Sequence, residues 1–383
     1  MKPKISPSKE KWTKELSELL LSCKTDAELR KNFPNYKIET LRRAQRKMRK
    51  QYGEVRFTEA QVFEEKLLSA LGKKGAPTVA ELADALDRSP RTVQETIERL
   101  RERGVKIELS PDHRVELSTE LVVKPPQKLN TDDYFGDGKI RFGFVTDTHL
   151  VSKYSRLDVL NAIYDIFERE GLKNVYHAGN WIDGEAPFNK YDLYCIGVEA
   201  QVRYFLENYP QRKGIVTQVL SGDDHEGWYV QRDHIDIGKV MEDRAKAMGR
   251  TDLVDIGYME RDFVFRRGDG ESVIRVIHAG GGSSYAHSYT SQKYVESLQG
   301  GEKPAMVLVG HYHKFDHAYP REVHVVQGGC TQDQTPFMRK KKIQAMVGGC
   351  IVEIQQDRHG VFNRVKVEWM PFYDKGYYEY KWK

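Results

Sequence analysis

The chain has 383 residues, 31% of them charged and 39% hydrophobic, and a formal net charge of +5. That length admits two or three domains with a sizeable core, and without a run of about eighteen apolar residues there is no candidate membrane-spanning helix. Four scattered cysteines with no CxxC pair fit a reduced, cytosolic setting better than a disulfide framework or a zinc finger.

The opening stretch, "MKPKISPSKEKW", is basic but lacks the apolar core of a signal peptide. Residues 1–60 hold sixteen Lys and Arg against eight acids, whereas residues 61–128 hold twelve of each sign. Basic surface is thus concentrated at the front, where a polyanion would be held; a solvated basic tail is the plainer alternative. Patterning over residues 1–57 predicts three helices. They are "SPSKEKWTKELSELLLS" with Trp12, Leu16, Leu19 and Leu20 on one face, "TDAELRKNF" with Thr25 as N-cap, and the basic "KIETLRRAQRKMRKQYG". A short turn before a basic third helix is the helix-turn-helix layout, with Arg42, Arg43 and Arg46 as candidate DNA contacts.

A second unit is expected over residues 58–121. "TEAQVFEEKLLSALGKKG" spaces Thr58 and Gln61 as a capping box, and "TVAELADAL" repeats the device with Thr78 and Glu81. "SPRTVQETIERLRERG" has Ser89 as N-cap, Pro90 at the first helical position, and Val93, Ile97 and Leu100 on one face. "VKIELSPDHRVELS" alternates like a hairpin around the turn "SPDH". Three helices and a hairpin in this order resemble a winged helix-turn-helix domain. The resemblance implies a recognition helix at residues 90–103, a wing at 105–118, and DNA contacts from Arg91, Gln94 and Arg101. A winged helix used for protein contact is the alternative.

Residues 122–138, within "VVKPPQKLNTDDYFGDGK", read as a linker from their prolines, glycines and lack of periodicity. Beyond them, over residues 139–383, the pattern changes. "KIRFGFVTDTH", "NVYHAG" and "GIVTQVLSG" read as strands, with helices predicted in "RLDVLNAIYDIFEREG" and "DLYCIGVEAQVRYFLENYP". Later segments such as "RDFVFRRGDGESVIRVIHAG" look like hairpins, so a mixed α/β domain of layered sheets flanked by helices is expected.

Five stretches of this domain end predicted strands with metal-binding side chains. They are "VTDTH" (Asp147, His149), "HAGNWID" (Asn180, Asp183), "SGDDHE" (Asp224, His225), "VIHAGG" (His278) and "VGHYH" (His311, His313). Loops after strands are where an α/β scaffold places reacting groups, and D-x-H or H-x-H aims two ligands to one face. His177, His234, His287, His317 and His324 read as ordinary core or surface residues. In this order, over roughly residues 139–330, the five stretches resemble the calcineurin-like metallophosphoesterase superfamily. That family shows D-x-H, G-D-x-x-D, G-N-H-D/E, a lone His, then G-H-x-H, on a β-sandwich flanked by helices.

The resemblance implies that Asp147, His149 and His313 bind a first divalent metal, and His278 and His311 a second. His225 would protonate the leaving oxygen, oriented by Asp183. Two ions about 4 Å apart would hold a hydroxide for in-line attack on phosphorus. Mixed His and carboxylate ligands point to Mn first, with Fe or Zn as alternatives.

Three departures from the family matter. Asn180 stands where the family has the metal-bridging carboxylate, and Asp224 stands where it has a ligating asparagine. The two residues have traded places, which makes Asp224 the candidate replacement for the bridge. An alignment shifted by one, with Asp223 as ligand, and a degenerate site are the alternatives. The third departure is Gly184, where family monoesterases often carry a phosphate-gripping arginine. A diester is the more natural substrate without it. "MRKKKIQ", with Lys340 and Lys341, could hold a phosphate backbone. The aromatic tail "WMPFYDKGYYEYKWK" is expected to pack on its own domain.

The expectation is therefore a metal-dependent phosphodiesterase, a DNA nuclease of bacterial or phage type, acting in the cytoplasm with DNA as partner and no membrane. A phosphomonoesterase of proteins or nucleotides, and a DNA-binding regulator with a silent phosphoesterase domain, are the rivals.

Overall fold

The computed structural model describes residues 20, 26–34, 36–42, 44–45, 59–71, 77–102, 105–110, 114–117, 124–135, 137–186, 189–282, 284 and 286–372. The chain divides into two compact units, Met1–Ser69 and Ala70–Lys383. In the first, α1 (Asp26–Asn32) contributes Leu29 to a small apolar cluster with Leu20, Phe33 and Leu41. The Gln45 amide donates to the Leu20 carbonyl (2.6 Å), and Arg42 donates to Gln45 Oε1 (3.2 Å). Of the two outer helices expected in this unit, only Leu20, 38–42 and 44–45 are described, all helical. The caps expected at Thr25 and Thr58, and Arg43 and Arg46, lie outside the described residues. α2 (Glu59–Leu71) follows.

The winged-helix pattern appears in α3 (Val79–Leu86), α4 (Pro90–Glu102), β1 (Ile107–Leu109) and β2 (Val115–Leu117). At the start of α3 both halves of the capping box form. The Glu81 amide donates to Thr78 Oγ1 (3.2 Å) and the Thr78 amide to Glu81 Oε2 (2.7 Å). Ser89 Oγ accepts from the Thr92 amide (3.1 Å), and α4 buries Val93, Ile97 and Leu100. β1 and β2 pair antiparallel with Ile107 opposite Leu117. The hairpin also reaches the larger domain. Val105 bridges Ile235, the Lys106 amide donates to the His234 carbonyl (3.2 Å), and Lys106 Nζ lies 3.9 Å from Asp236.

The expected linker is only partly one. β3 (Gln127–Asn130) pairs in parallel with a distant strand, setting Gln127 opposite Phe263, and α5 (Thr131–Phe135) follows directly. Pro125 and Pro126 favour extended backbone on entering this edge strand, so the sheet domain starts before residue 139. The remaining elements, in chain order, are β4 (Lys139–Val145), α6 (Leu157–Arg169), β5 (Asn174–Ala178), α7 (Val198–Asn208), β6 (Val216–Ser221), α8 (Gly227–Asp233), α9 (Ile237–Ala247) and β7 (Leu253–Tyr258). Then come β8 (Glu260–Arg267), β9 (Gly270–His278), α10 (Tyr289–Ser297), β10 (Met306–Gly310), β11 (Phe315–Ala318), β12 (His324–Gly328), α11 (Pro336–Lys341), β13 (Gly348–Gln356) and β14 (Phe362–Pro371). α7 starts at Val198 rather than near Asp192, because Gly197 enters it at φ 91°, outside helical space.

Two six-stranded sheets result, ordered β14-β13-β4-β5-β6-β7 and β11-β12-β10-β9-β8-β3. β5 and β10 are buried at every residue, as parallel strands covered on both faces must be. Between the sheets lie Phe142, Phe144, Tyr176 and Leu220 from one, and Phe263, Ile274, Val276 and Leu308 from the other. α6, α7 and α9 cover the outer face of the first sheet through Ile163, Phe205 and Met241. α10 covers the second through Val295, packed with Val307, Val309 and Val325. This is a helix-flanked β-sandwich, preceded by a helix-turn-helix region. Trp369 stacks on Phe315 at 4.5 Å, and Phe372 is buried. The described part of the aromatic tail thus packs on its own domain.

Candidate metal centre

β4, β5 and β6 are neighbouring parallel strands of one sheet, and β9 and β10 of the other. Their C-terminal ends therefore emerge together, and each carries one of the five sequence stretches. Asp147, His149, Asn180, His311 and His313 all have positive φ, between 45° and 90°. Non-glycine residues adopt that conformation at a cost of about 1 kcal/mol or more, and such strain gathers at functional sites.

Of three donor groups among the described residues, one is His149, Asp183 and His225, and the other two collect expected metal ligands. In the first of those two, His313 Nε2 lies 3.3 Å from Asp147 Oδ1 and 3.1 Å from His149 Nε2. In the second, Asp224 Oδ1 lies 3.1 Å from His278 Nε2, and Asp224 Oδ2 lies 3.1 Å from His311 Nδ1. The outer nitrogens of His149, His278 and His311 are already committed. His149 Nδ1 donates to Asp183 Oδ1 (2.7 Å), His278 Nδ1 to the Ala178 carbonyl (2.7 Å), and His311 Nε2 to the Gly281 carbonyl (2.6 Å). In neutral rings the inner nitrogens then present lone pairs to carboxylate oxygens, an arrangement that needs positive charge between them. Each group fits a divalent cation with mixed nitrogen and oxygen ligands.

Asn180 stands beside the first group, with Nδ2 donating to Asp147 Oδ1 (3.2 Å) and Oδ1 buried without a hydrogen-bond partner. Asp224 joins the second group alone rather than spanning the two. Asp223 is in none of these groups, and its backbone carbonyl accepts from Gln231 Nε2 (2.6 Å).

His225 sits at the edge of both groups. Its Nδ1 donates to the Asp183 carbonyl (2.9 Å) and lies 3.2 Å from Asp183 Oδ1, while its ring meets His149 edge-on at 4.4 Å. Burial pushes the His225 imidazolium pKa down, but the Asp224 and Asp183 carboxylates outweigh it and hold the pKa at about 10. His177 is fully buried against Thr148 (3.0 Å), and burial lowers its pKa to about 3, so it is a neutral core residue.

Two supporting residues were not singled out from the sequence. Glu226 is fully buried, and its Oε1 accepts from the amides of Asn180 (2.9 Å) and Gly222 (2.6 Å), tying the second stretch to the third. Asn189 donates to the same Asp183 carbonyl (2.7 Å) that holds His225. An acid directly after His225 was the only signal for the first, and the second had none.

Gly184 has φ 61°, and a Cβ there would overlap the His225 carbonyl. No side chain, an arginine included, fits at this position without moving the His225 loop. Gly184→Ala is expected to cost about 1–3 kcal/mol, read as a lowered midpoint in denaturant unfolding.

None of the candidate DNA contacts belongs to these donor groups. Arg91 is exposed on α4 and paired with Glu95 (2.8 Å); Gln94 is exposed one turn on. Arg101 donates to the Ile107 carbonyl (2.7 Å), bracing the hairpin. Lys340 and Lys341 are exposed in the last turn of α11, and the returning Met346 amide donates to the His313 carbonyl (2.8 Å).

Residues 64–113 match the family described as "HTH domain". Solved structures similar to the chain include an archaeal phosphodiesterase (13% identity, TM-score 0.31, covering 60% of this chain and 100% of that one). Others are Vps29 with zinc from Entamoeba histolytica (12%, 0.29, 61% and 99%) and a putative 5'-nucleotidase from Staphylococcus aureus (11%, 0.36, 62% and 55%). No curated protein matches. Among the described residues no helix is long and apolar enough to cross a membrane.

Proposed function

We propose that the chain is a metal-dependent phosphodiesterase that cleaves DNA, with its helix-turn-helix units holding the nucleic acid. The observation that carries this reading is the meeting of two donor groups, Asp147–His149–His313 and Asp224–His278–His311, beside a hydrogen-bonded Asp183–His225 pair. Two divalent ions held there, with Mn favoured, would polarise a phosphoryl group and supply a nucleophile drawn from water.

The protein's own groups would do the rest. Asp183 fixes the His225 ring through its carbonyl and carboxylate, so that Nε2, 4.0 Å from Asp224 Oδ2, would be the nitrogen that gives a proton to the leaving oxygen. Glu226 and Asn189 hold the loops that carry this pair. Gly184 leaves no room for the extra cation that a doubly charged monoester would call for, which favours a diester. Lys340 and Lys341 offer charge for a phosphate backbone, and Arg91 and Gln94 an exposed face on α4.

The test is an assay of Mn-loaded protein against labelled single-stranded, double-stranded and hairpin DNA and a monoester reporter. Cleavage of DNA with little monoester hydrolysis is expected, together with two ions per chain by elemental analysis. Monoester hydrolysis without DNA cleavage would replace the reading with a phosphomonoesterase. No bound metal and no hydrolysis would leave a DNA-binding regulator.

A further inference from the structure

The loop from Asn189 to Ile196 is tied down at many points yet leaves its largest apolar side chains in solvent. Tyr191 is 82% exposed, Tyr194 60% and Ile196 47%. The ties are specific. Asn189 donates to the Asp183 carbonyl (2.7 Å), Leu193 bridges Ser152, and the Tyr194 amide donates to the Val151 carbonyl (2.9 Å). The Lys153 amide donates to the Asp192 carbonyl (2.8 Å), and Lys153 Nζ to the Tyr191 carbonyl (2.7 Å). Both anchors belong to metal loops, since Ser152 and Lys153 follow His149 closely and Asn189 follows Asp183. The Tyr194 ring is further stacked on Tyr204 of α7, at 5.8 Å and 21°.

The hydrogen bonds thus fix the backbone that carries both rings to the segments after His149 and Asp183, and neither ring is buried in the core. Clustered, ordered aromatics in solvent mark a binding surface. Lys153 donates to the Tyr191 carbonyl, Lys190 precedes Tyr191, and Arg203 precedes the Tyr204 on which Tyr194 stacks; Lys190 and Arg203 are exposed. Aromatic faces flanked by cations beside a phosphate-handling site suit a nucleic acid strand whose bases are free to stack. A duplex hides those base faces and offers nothing for the rings to cover.

We infer that Tyr191 and Tyr194 form a stacking platform for unpaired bases of the substrate, so that the strand entering the centre is single-stranded DNA. This rests on the DNA-cleaving reading, which names the same centre, but its test reads binding rather than hydrolysis. Full-length protein with Ca2+ as the divalent ion is titrated into a labelled thymidine oligomer and into a duplex of mixed sequence, followed by fluorescence anisotropy. Tyr191→Ala should weaken binding of the single strand about 5-fold or more, and Tyr191→Ala with Tyr194→Ala about 10- to 100-fold. Tyr191→Phe with Tyr194→Phe should bind like the unaltered protein, and duplex affinity should change little in any variant.

Tyr191 is so exposed that its alanine variant leaves the core untouched, and an unchanged thermal midpoint checks this. Equal single-strand affinity in that variant would overturn the platform, as would an equal loss on duplex or no single-strand binding by the unaltered protein. If Mn-loaded protein cuts no DNA while Tyr191→Ala still weakens single-strand binding, the platform stands and the nuclease reading falls.

Discussion

Asp224→Asn is expected to remove one of two bound metal ions and to lower phosphodiester hydrolysis by more than about 100-fold. The magnitude follows from ligand order: changing an outer partner of a metal ligand costs about 10- to 100-fold, and Asp224 faces His278 and His311 directly at 3.1 Å. The second donor group contains no other carboxylate. A neutral amide there leaves two imidazoles and a weak oxygen donor. Asn180→Asp alone adds a carboxylate next to Asp147 Oδ1, where the amide now donates at 3.2 Å; without cations this costs stability by like-charge repulsion. The double change returns the pattern of the resembled superfamily and should recover part of the activity. Elemental analysis and hydrolysis rates of the three variants check the set. Full activity in Asp224→Asn would show that this carboxylate holds no metal.

His225→Asn is expected to lower kcat for DNA cleavage by about 10²- to 10⁴-fold, the usual worth of a placed proton donor. The comparison that separates chemistry from folding is the leaving group. A deoxyribose alkoxide needs a proton as the bond to phosphorus breaks; a nitrophenolate does not. The same variant should therefore lose far less activity on bis-nitrophenyl phosphate than on DNA. Equal losses on both would mean that His225 acts by holding the loop, because its ring also packs edge-on against His149 at 4.4 Å.

The legible features were those written within a few residues. Thr78 and Glu81 announce their capping box by spacing, and Ser89-Pro90 mark the start of α4. The five metal-binding stretches are legible because each joins an apolar strand to a Gly, His and Asp-rich loop. Features decided by distant partners were not. β3 looks like linker because an edge strand takes its pairing from β8, more than a hundred residues on. Set against the resembled family's pattern, Asn180 and Asp224 stand exchanged, which made Asp224 a candidate bridge. Which donor group Asp224 joins depends on how β6, β9 and β10 converge, and no local pattern encodes that. The work of Glu226 is likewise invisible locally, since its partner Asn180 is 46 residues away.

The strand bridge between Val105 and Ile235, with the Lys106–His234 hydrogen bond beside it, has a geometrical consequence. A binding module on a slack tether samples many orientations, and its span is set by tether length. Here the hairpin after α4 is fastened to the turn that closes α8, and α8 begins just after His225. The hairpin region is consequently mounted on the sheet domain like the fence on a saw. If the proposed function holds, the distance from gripped to cut position is set by this attachment and not by a linker.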